Sequence, residues 1–210
     1  MRAGLYLRLL MGSLVALLSA CSTVPKDRVT DPGGELLYRA KHDQLSAVIS
    51  WNMTGRLAVS NERDGGSGHF SWKYDAGGSR MDFHGALGRG AWRLVADASG
   101  AELELADGSI KRAADIDLLI RDQVGWKIPA DSLSWWVRGM VAPGPFSERV
   151  IDKDGNMANL LQDGWTIEYG RYKDFEGASL PIKMTARQAE WKVKLVIREW
   201  DLGTQGAAND

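Results

Sequence analysis

Residues 191–198 read Trp-Lys-Val-Lys-Leu-Val-Ile-Arg. Trp191, Val193, Leu195 and Ile197 alternate with Lys192, Lys194, Val196 and Arg198. In a strand, successive side chains point to opposite faces, so a period of two means one buried face and one mostly solvated face. Lys192 and Lys194 belong to the solvated face. Moving back along the chain, Ile182, Met184 and Ala186 follow a loop at Lys173–Pro181 (KDFEGASLP). Before it, Trp165, Ile167 and Tyr169 alternate with Thr166 and Glu168. Asp163-Gly164 and Asp154-Gly155 are turn signals, flanking the strands Met157–Gln162 and Arg149–Ile151.

The same period governs the front of the chain. Trp51, Met53, Leu57 and Val59 alternate with smaller or polar residues, and the loop Asn61–Gly68 (NERDGGSG) follows. Phe70, Trp72 and Tyr74 form the next strand, then Met81 and Phe83, then Trp92 and Leu94, then Leu103 and Leu105, with Ile110 after Asp107-Gly108. Three stretches break the pattern. Glu35–Ile49 reads as a helix with Leu37, Ala40, Leu45 and Val48 on one side. Ala114–Val124 reads as a second, with Ile116, Leu119, Ile120 and Val124 apolar. Asp131–Arg138, opened by Pro129, reads as a third, with Leu133, Trp136 and Val137 at i, i+3, i+4. The fold is therefore mainly β: an antiparallel meander of about eleven short strands, with helices over its concave apolar face. A sheet this large curls or closes. The two mid-chain helices either complete a filled core or form a lid over a cavity; periodicity leaves both open.

Leu18-Ser19-Ala20-Cys21 sets the address. Arg2 and Arg8 precede a short apolar run, two small residues and the single cysteine of the 210-residue chain. That pattern is a lipoprotein signal peptide over 1–20, cleaved before a Cys21 that carries covalent lipid. Residues 21–34 (CSTVPKDRVTDPGG) then read as the lipidated Cys and a flexible tether, 35–202 as one domain, and 203–210 as a disordered tail. The formal charge is −1; losing Arg2 and Arg8 from 26 basic residues against 27 acidic leaves −3. Nothing in that balance suits nucleic acid. One cysteine offers no disulfide, so the fold rests on packing. The 9 Trp suit cores, apolar pockets and membrane interfaces alike.

Catalytic signals are sparse. His42, His69 and His84 show no metal-ligand spacing, and no Gly-x-Ser-x-Gly elbow or phosphate-cradling loop is present. Asp115 and Asp117 at a helix start complement its dipole. One loop departs from habit: His84–Gly90 places Leu87 among glycines, although loop tips are usually polar. Leu87 either folds onto the core or is exposed for a bilayer or partner, with Arg89 near anionic head groups.

Taken together, several landmarks resemble the outer-membrane lipoprotein receptor family (LolB). They are Cys21, Trp51-x-x-x-Gly55-Arg56, Phe70-x-Trp72, the Ala86–Gly88 loop, and Ile128-Pro129 followed by Leu133, Trp136 and Gly139. Gly164-Trp165-x-x-x-Tyr169, Leu180-Pro181 and Lys194-Leu195 with Trp200 complete the series. The resemblance implies an open antiparallel β-barrel with a helical lid over an apolar cavity. It implies a protein held by lipid on the periplasmic leaflet of the outer membrane. There it would take lipoproteins from a soluble periplasmic carrier (LolA-like), bind their acyl chains, and insert them among outer-membrane phospholipids. No cofactor, metal or catalytic step is implied beyond the covalent lipid on Cys21, and a monomer is expected. The implied cavity residues are Met53, Leu57, Phe70, Trp72, Met81, Phe83, Trp92, Leu94, Trp165 and Ile167, with Leu133, Trp136 and Val137 on the lid. Leu87 occupies the family's membrane-delivery position. Members often carry Asn-Pro before the Leu-Gly pair, where this chain has Gly85-Ala86. Ser22 is consistent with outer-membrane sorting. Two other classes remain open: a lipoprotein that scaffolds an envelope complex around a filled core, and an envelope hydrolase with a polar cleft.

Overall fold

Eleven strands form one antiparallel sheet in the computed structural model, which describes residues 30–85 and 90–203. Cys21 with the signal and most of the tether, the Leu87 tip, and 204–210 lie outside the described residues. The strands are β1 Trp51–Ser60, β2 Gly65–Asp75, β3 Gly78–Gly85, β4 Trp92–Asp97, β5 Gly100–Leu105 and β6 Ile110–Ala113. They continue as β7 Glu148–Ile151, β8 Met157–Gln162, β9 Trp165–Phe175, β10 Ala178–Gln188 and β11 Trp191–Leu202. Their order is β6-β5-β4-β3-β2-β1-β11-β10-β9-β8-β7. Two meanders are thus zipped together where β1 meets β11, from Trp51 opposite Leu202 to Ser60 opposite Lys192. β6 and β7 are left as free edges, so the barrel is open.

Alternation drives this pairing, because a one-residue slip would turn every apolar side chain outward. In β1, Trp51, Met53, Leu57 and Val59 are all buried while Thr54, Arg56 and Ser60 are exposed. The chain between the two edges carries helices α2 Ile116–Val124 and α3 Ala130–Trp136. α2 lies against β5 and β6. Trp136 of α3 reaches Trp165 of β9, with ring centroids 6.4 Å apart. The helical segment therefore touches both meanders, and the sheet must curve around it.

The first helix, α1 Pro32–Ser46, starts earlier and ends sooner than its apolar spacing predicts. Asp31 is its N-cap, accepting from Gly34 N–H at 2.8 Å, and Pro32 takes the first turn, where its missing N–H costs nothing. Thr30 and Asp31 also bond the β7 backbone, so the ordered contacts of the described residues reach back to Thr30, inside the stretch read as tether. The buried face is Gly34, Tyr38 and Leu45; Leu37 and Ala40 face outward. Gly34 explains the rotation. A Cβ there would overlap the Asp152 carbonyl, so this helix docks through its glycine. At the other terminus, Gly203 N–H still bonds Ser50 O at 3.0 Å.

Three loop expectations also change. The second half of the stretch 61–68 is strand, because β2 begins at Gly65. The loop at 173–181 shrinks to the two residues Glu176-Gly177, both at positive φ (56° and 82°), a hairpin geometry matched to strand twist. His84 lies in β3, not in a loop.

Candidate functional site

The inward faces of both meanders and the inner sides of the helices make one continuous apolar interior. All ten cavity candidates from the sequence lie in it: Met53, Leu57, Phe70, Trp72, Met81, Phe83, Trp92, Leu94, Trp165 and Ile167. None is more than 4% exposed. Leu133, Trp136 and Val137 close over them from α3 and its C-cap, at most 2% exposed. The lining is aromatic and contiguous. Phe83 stacks on Trp92 at 5.6 Å, and Phe70 meets Trp72 edge-on at 6.1 Å. Such offset and edge contacts are the favoured ones for aromatic pairs.

Two tryptophans outside the ten cavity candidates complete the site. Trp126, between α2 and α3, drops onto Phe83 (4.9 Å, edge-on) and Trp92 (6.3 Å). Its place is cleared by Gly66, where a Cβ would lie 2.5 Å from the Trp126 ring. The glycines of 61–68 were the available signal, but they read equally well as a loop. Trp51, read as a strand residue and a family landmark but not as a cavity candidate, sits at the opposite end among Trp72, Tyr74 and Trp200, with centroids 5.2–5.5 Å away.

Polar bonds hold the helices shut. Gln162 is fully buried on β8. Its amide oxygen accepts from Trp136 Nε1 (2.9 Å) and Ala142 N–H (3.0 Å), and its nitrogen donates to Ala142 O (2.9 Å). Tyr169 O–H donates to Trp136 O at 2.9 Å. Asp115 caps α2, accepting from Leu118 N–H. Asp117 stands in the first turn of the same helix, as expected, and also accepts from Ala130 N–H at 2.8 Å, so it caps α3 as well. Burial pushes its carboxyl up from 3.8 to about 6, helped by the neighbouring Asp131 and Asp115 charges. Arg138, just past α3, is 5% exposed and donates to Ser134 O and Leu45 O, both at 3.2 Å. Burial lowers its pKa, since desolvation disfavours the cation.

A cleft of about 430 Å³ opens beside this lid, between the β2–β3 hairpin and α3. Tyr74 and Trp135 form its walls, and Trp72 and Met81 reach it from the interior. Among the described residues, no cluster of His, Cys, Asp and Glu could hold a metal, and no helix is long and apolar enough to cross a membrane.

The fold and site define an open-barrel protein whose aromatic-lined interior is shut by helices bridging its free edges. A family model described as "Outer membrane lipoprotein LolB" matches residues 49–200. The chain belongs to the LolB family. The outer-membrane lipoprotein LolB of Pseudomonas aeruginosa is 36% identical over 192 residues, covering 91% of this chain and 94% of its own. That of Pseudomonas fluorescens is 34% identical over 194 residues, covering 90% and 92%. Among solved structures, a DUF1329 family protein from Desulfovibrio piger superposes with a TM-score of 0.49 at 7% identity, over 85% of this chain and 96% of its own. A LolA superfamily protein from Nitrosomonas europaea gives 0.46 at 10% identity, over 79% and 93%.

Proposed function

We propose that this chain is a lipid-anchored outer-membrane receptor that accepts lipoproteins from a periplasmic carrier and inserts them into the outer membrane. The single observation that carries the reading is the continuous apolar interior closed by short helices, in a chain of the LolB family. An acyl chain in water is unfavourable by about 0.8 kcal/mol for each CH₂ left unburied, so a carrier must shield it throughout. In the closed protein, Leu133, Trp136, Val137 and Trp126 occupy the apolar face. An incoming acyl chain replaces them as the helices lift. Opening then exposes little net apolar surface, and no nucleotide, metal or covalent step is required. Downhill transfer from carrier to receptor to bilayer needs only that order of affinities. A lining of Trp, Phe, Met and Leu is non-directional and tolerates chains of varied length.

The lipid on Cys21 supplies the address rather than the cargo, and Leu87 is the second, weaker bilayer contact that releases cargo into phospholipid. The receptor acts as a monomer and meets a LolA-like partner of its own fold class. Leu87→Glu keeps acyl binding and stalls delivery: carrier-bound fluorescent lipoprotein reaches the variant, but its appearance in acceptor liposomes slows at least about tenfold. Wild-type delivery by Leu87→Glu would contradict the role of Leu87. Failure of the native receptor to withdraw lipoprotein from its carrier would contradict the receptor itself. One observation favours a scaffold instead, namely that the interior residues already touch one another. That reading predicts no uptake of acyl chains by the purified protein.

A further inference from the structure

We propose that the indole N–H of Trp51 and the guanidinium of Arg138 bind the ester or amide carbonyl at the head of an acyl chain, behind the wall that Tyr74 and Trp135 give the cleft beside α3. The proposal rests on the acyl-binding reading above and adds a polar subsite to it.

Trp51 is 1% exposed, and its Nε1 has no hydrogen-bond partner among the described residues. A buried donor left unmade costs about 1–3 kcal/mol, so such a group calls for an explanation. Three other tryptophans of the interior are satisfied. Trp72 Nε1 donates to Ser79 Oγ (2.7 Å), Trp136 Nε1 to Gln162 Oε1 (2.9 Å) and Trp200 Nε1 to Pro181 O (3.1 Å). Trp92 Nε1 is also unpartnered, but its ring neighbours are Phe70, Phe83 and Trp126. Trp51 has a cation against it: Arg138 Cζ lies 5.9 Å from its ring centroid and 5.0 Å from that of Trp135.

Arg138 makes no ion pair among the described residues. A guanidinium carries five N–H donors, and among the described residues two hydrogen bonds engage this one, both to backbone carbonyls. Two buried side chains with spare donor capacity thus adjoin each other, and no carboxylate answers them. Their position suits one kind of ligand. Tyr74 stacks on Trp51 at 5.5 Å and, with Trp135, lines the cleft, while Trp72 and Met81 lead from it into the interior. An acyl chain is apolar along its length and carries an acceptor only at its head. The interior takes the tail, and these donors take the oxygen. In the empty protein the same groups hold the lid, since Arg138 ties the end of α3 to Leu45 O at the end of α1.

The test uses the mature chain with Cys21→Ala and displacement of the neutral probe N-phenyl-1-naphthylamine. Three competitors of one chain length are compared: methyl decanoate, decanoic acid and 1-chlorodecane. Wild type is expected to prefer methyl decanoate over 1-chlorodecane by about tenfold, the size of one or two hydrogen bonds in a dry site. Trp51→Phe and Arg138→Met each bring that ratio below about threefold; the ratio is the readout, because losing the Arg138 tie to Leu45 O also changes 1-chlorodecane displacement itself. Arg138→Lys, which keeps charge, retains part of the preference and guards against a folding defect in Arg138→Met. Equal displacement by all three competitors in wild type overturns the head-group site, as does a preference for the acid alone. Absence of displacement by any of them overturns the acyl-binding reading instead.

Discussion

Gln162 joins the sheet to the lid through a single side chain. Its amide satisfies Trp136 Nε1–H and both backbone groups of Ala142, all buried. Replacing it with leucine keeps the volume roughly equal and orphans three polar groups. Each orphan costs on the order of 1–3 kcal/mol, so Gln162→Leu is expected to destabilise the protein by about 3 kcal/mol or more. Equilibrium unfolding in urea measures this, and a loss under about 1 kcal/mol would show that the network is replaceable. No pattern in the sequence marks this residue. Gln162 occupies an inward strand position where alternation predicts an apolar side chain, and its partners lie 20 and 26 residues away. Arg138 was hidden for the same reason: a cation at a helix end reads as solvent-facing, although this one is buried.

At the scale of elements, the strands were legible and the lid was only partly so. Trp191, Val193, Leu195 and Ile197 predicted a strand because only one register buries them, and all but Trp191 are at most 4% exposed. The first helical stretch was read correctly at Leu45, which is buried, and Val48, which packs partly on the core, but Leu37 and Ala40 face outward, because close approach at Gly34 sets the rotation of α1. Asp117 stands in the first turn of its own helix and also caps the next, a contact that spans 13 residues. Its raised pKa gives a signed prediction. Because the folded value is above the unfolded one, the folded state holds the proton more tightly. The stabilisation from that proton is complete below about pH 4 and is lost as pH rises through about 6. Asp117→Asn keeps an acceptor for Ala130 N–H without the buried charge. It is expected to melt higher than wild type at pH 7.5, with the gap narrowing or reversing at pH 4. A gap that does not change with pH would remove Asp117 from the lid's titration.

The whole molecule is two meanders zipped at β1 and β11, with a helical bridge between free edges. That topology permits motion at one place. Lifting α2 and α3 breaks side-chain contacts and a few hydrogen bonds, but no ladder between β1 and β11. Nothing in the periodicity separated a filled core from an openable one, because both bury the same face of every strand. The difference lies in how firmly the helices are tied, and those ties are Gln162, Tyr169, Asp117 and Arg138. Ser132 of α3 also meets Asp163 of the β8–β9 turn, with Oγ donating to Oδ2 at 3.2 Å. A disulfide between Cys residues placed there, in the Cys21→Ala chain, pins the lid to the sheet. The decisive measurement is uptake of a fluorescent fatty acid by the Ser132→Cys, Asp163→Cys protein, oxidised and then reduced. The account predicts uptake only after reduction, at a level matching the Cys21→Ala parent. Equal uptake with the lid locked would place the acyl site elsewhere, and no uptake in either state would make the interior an ordinary core.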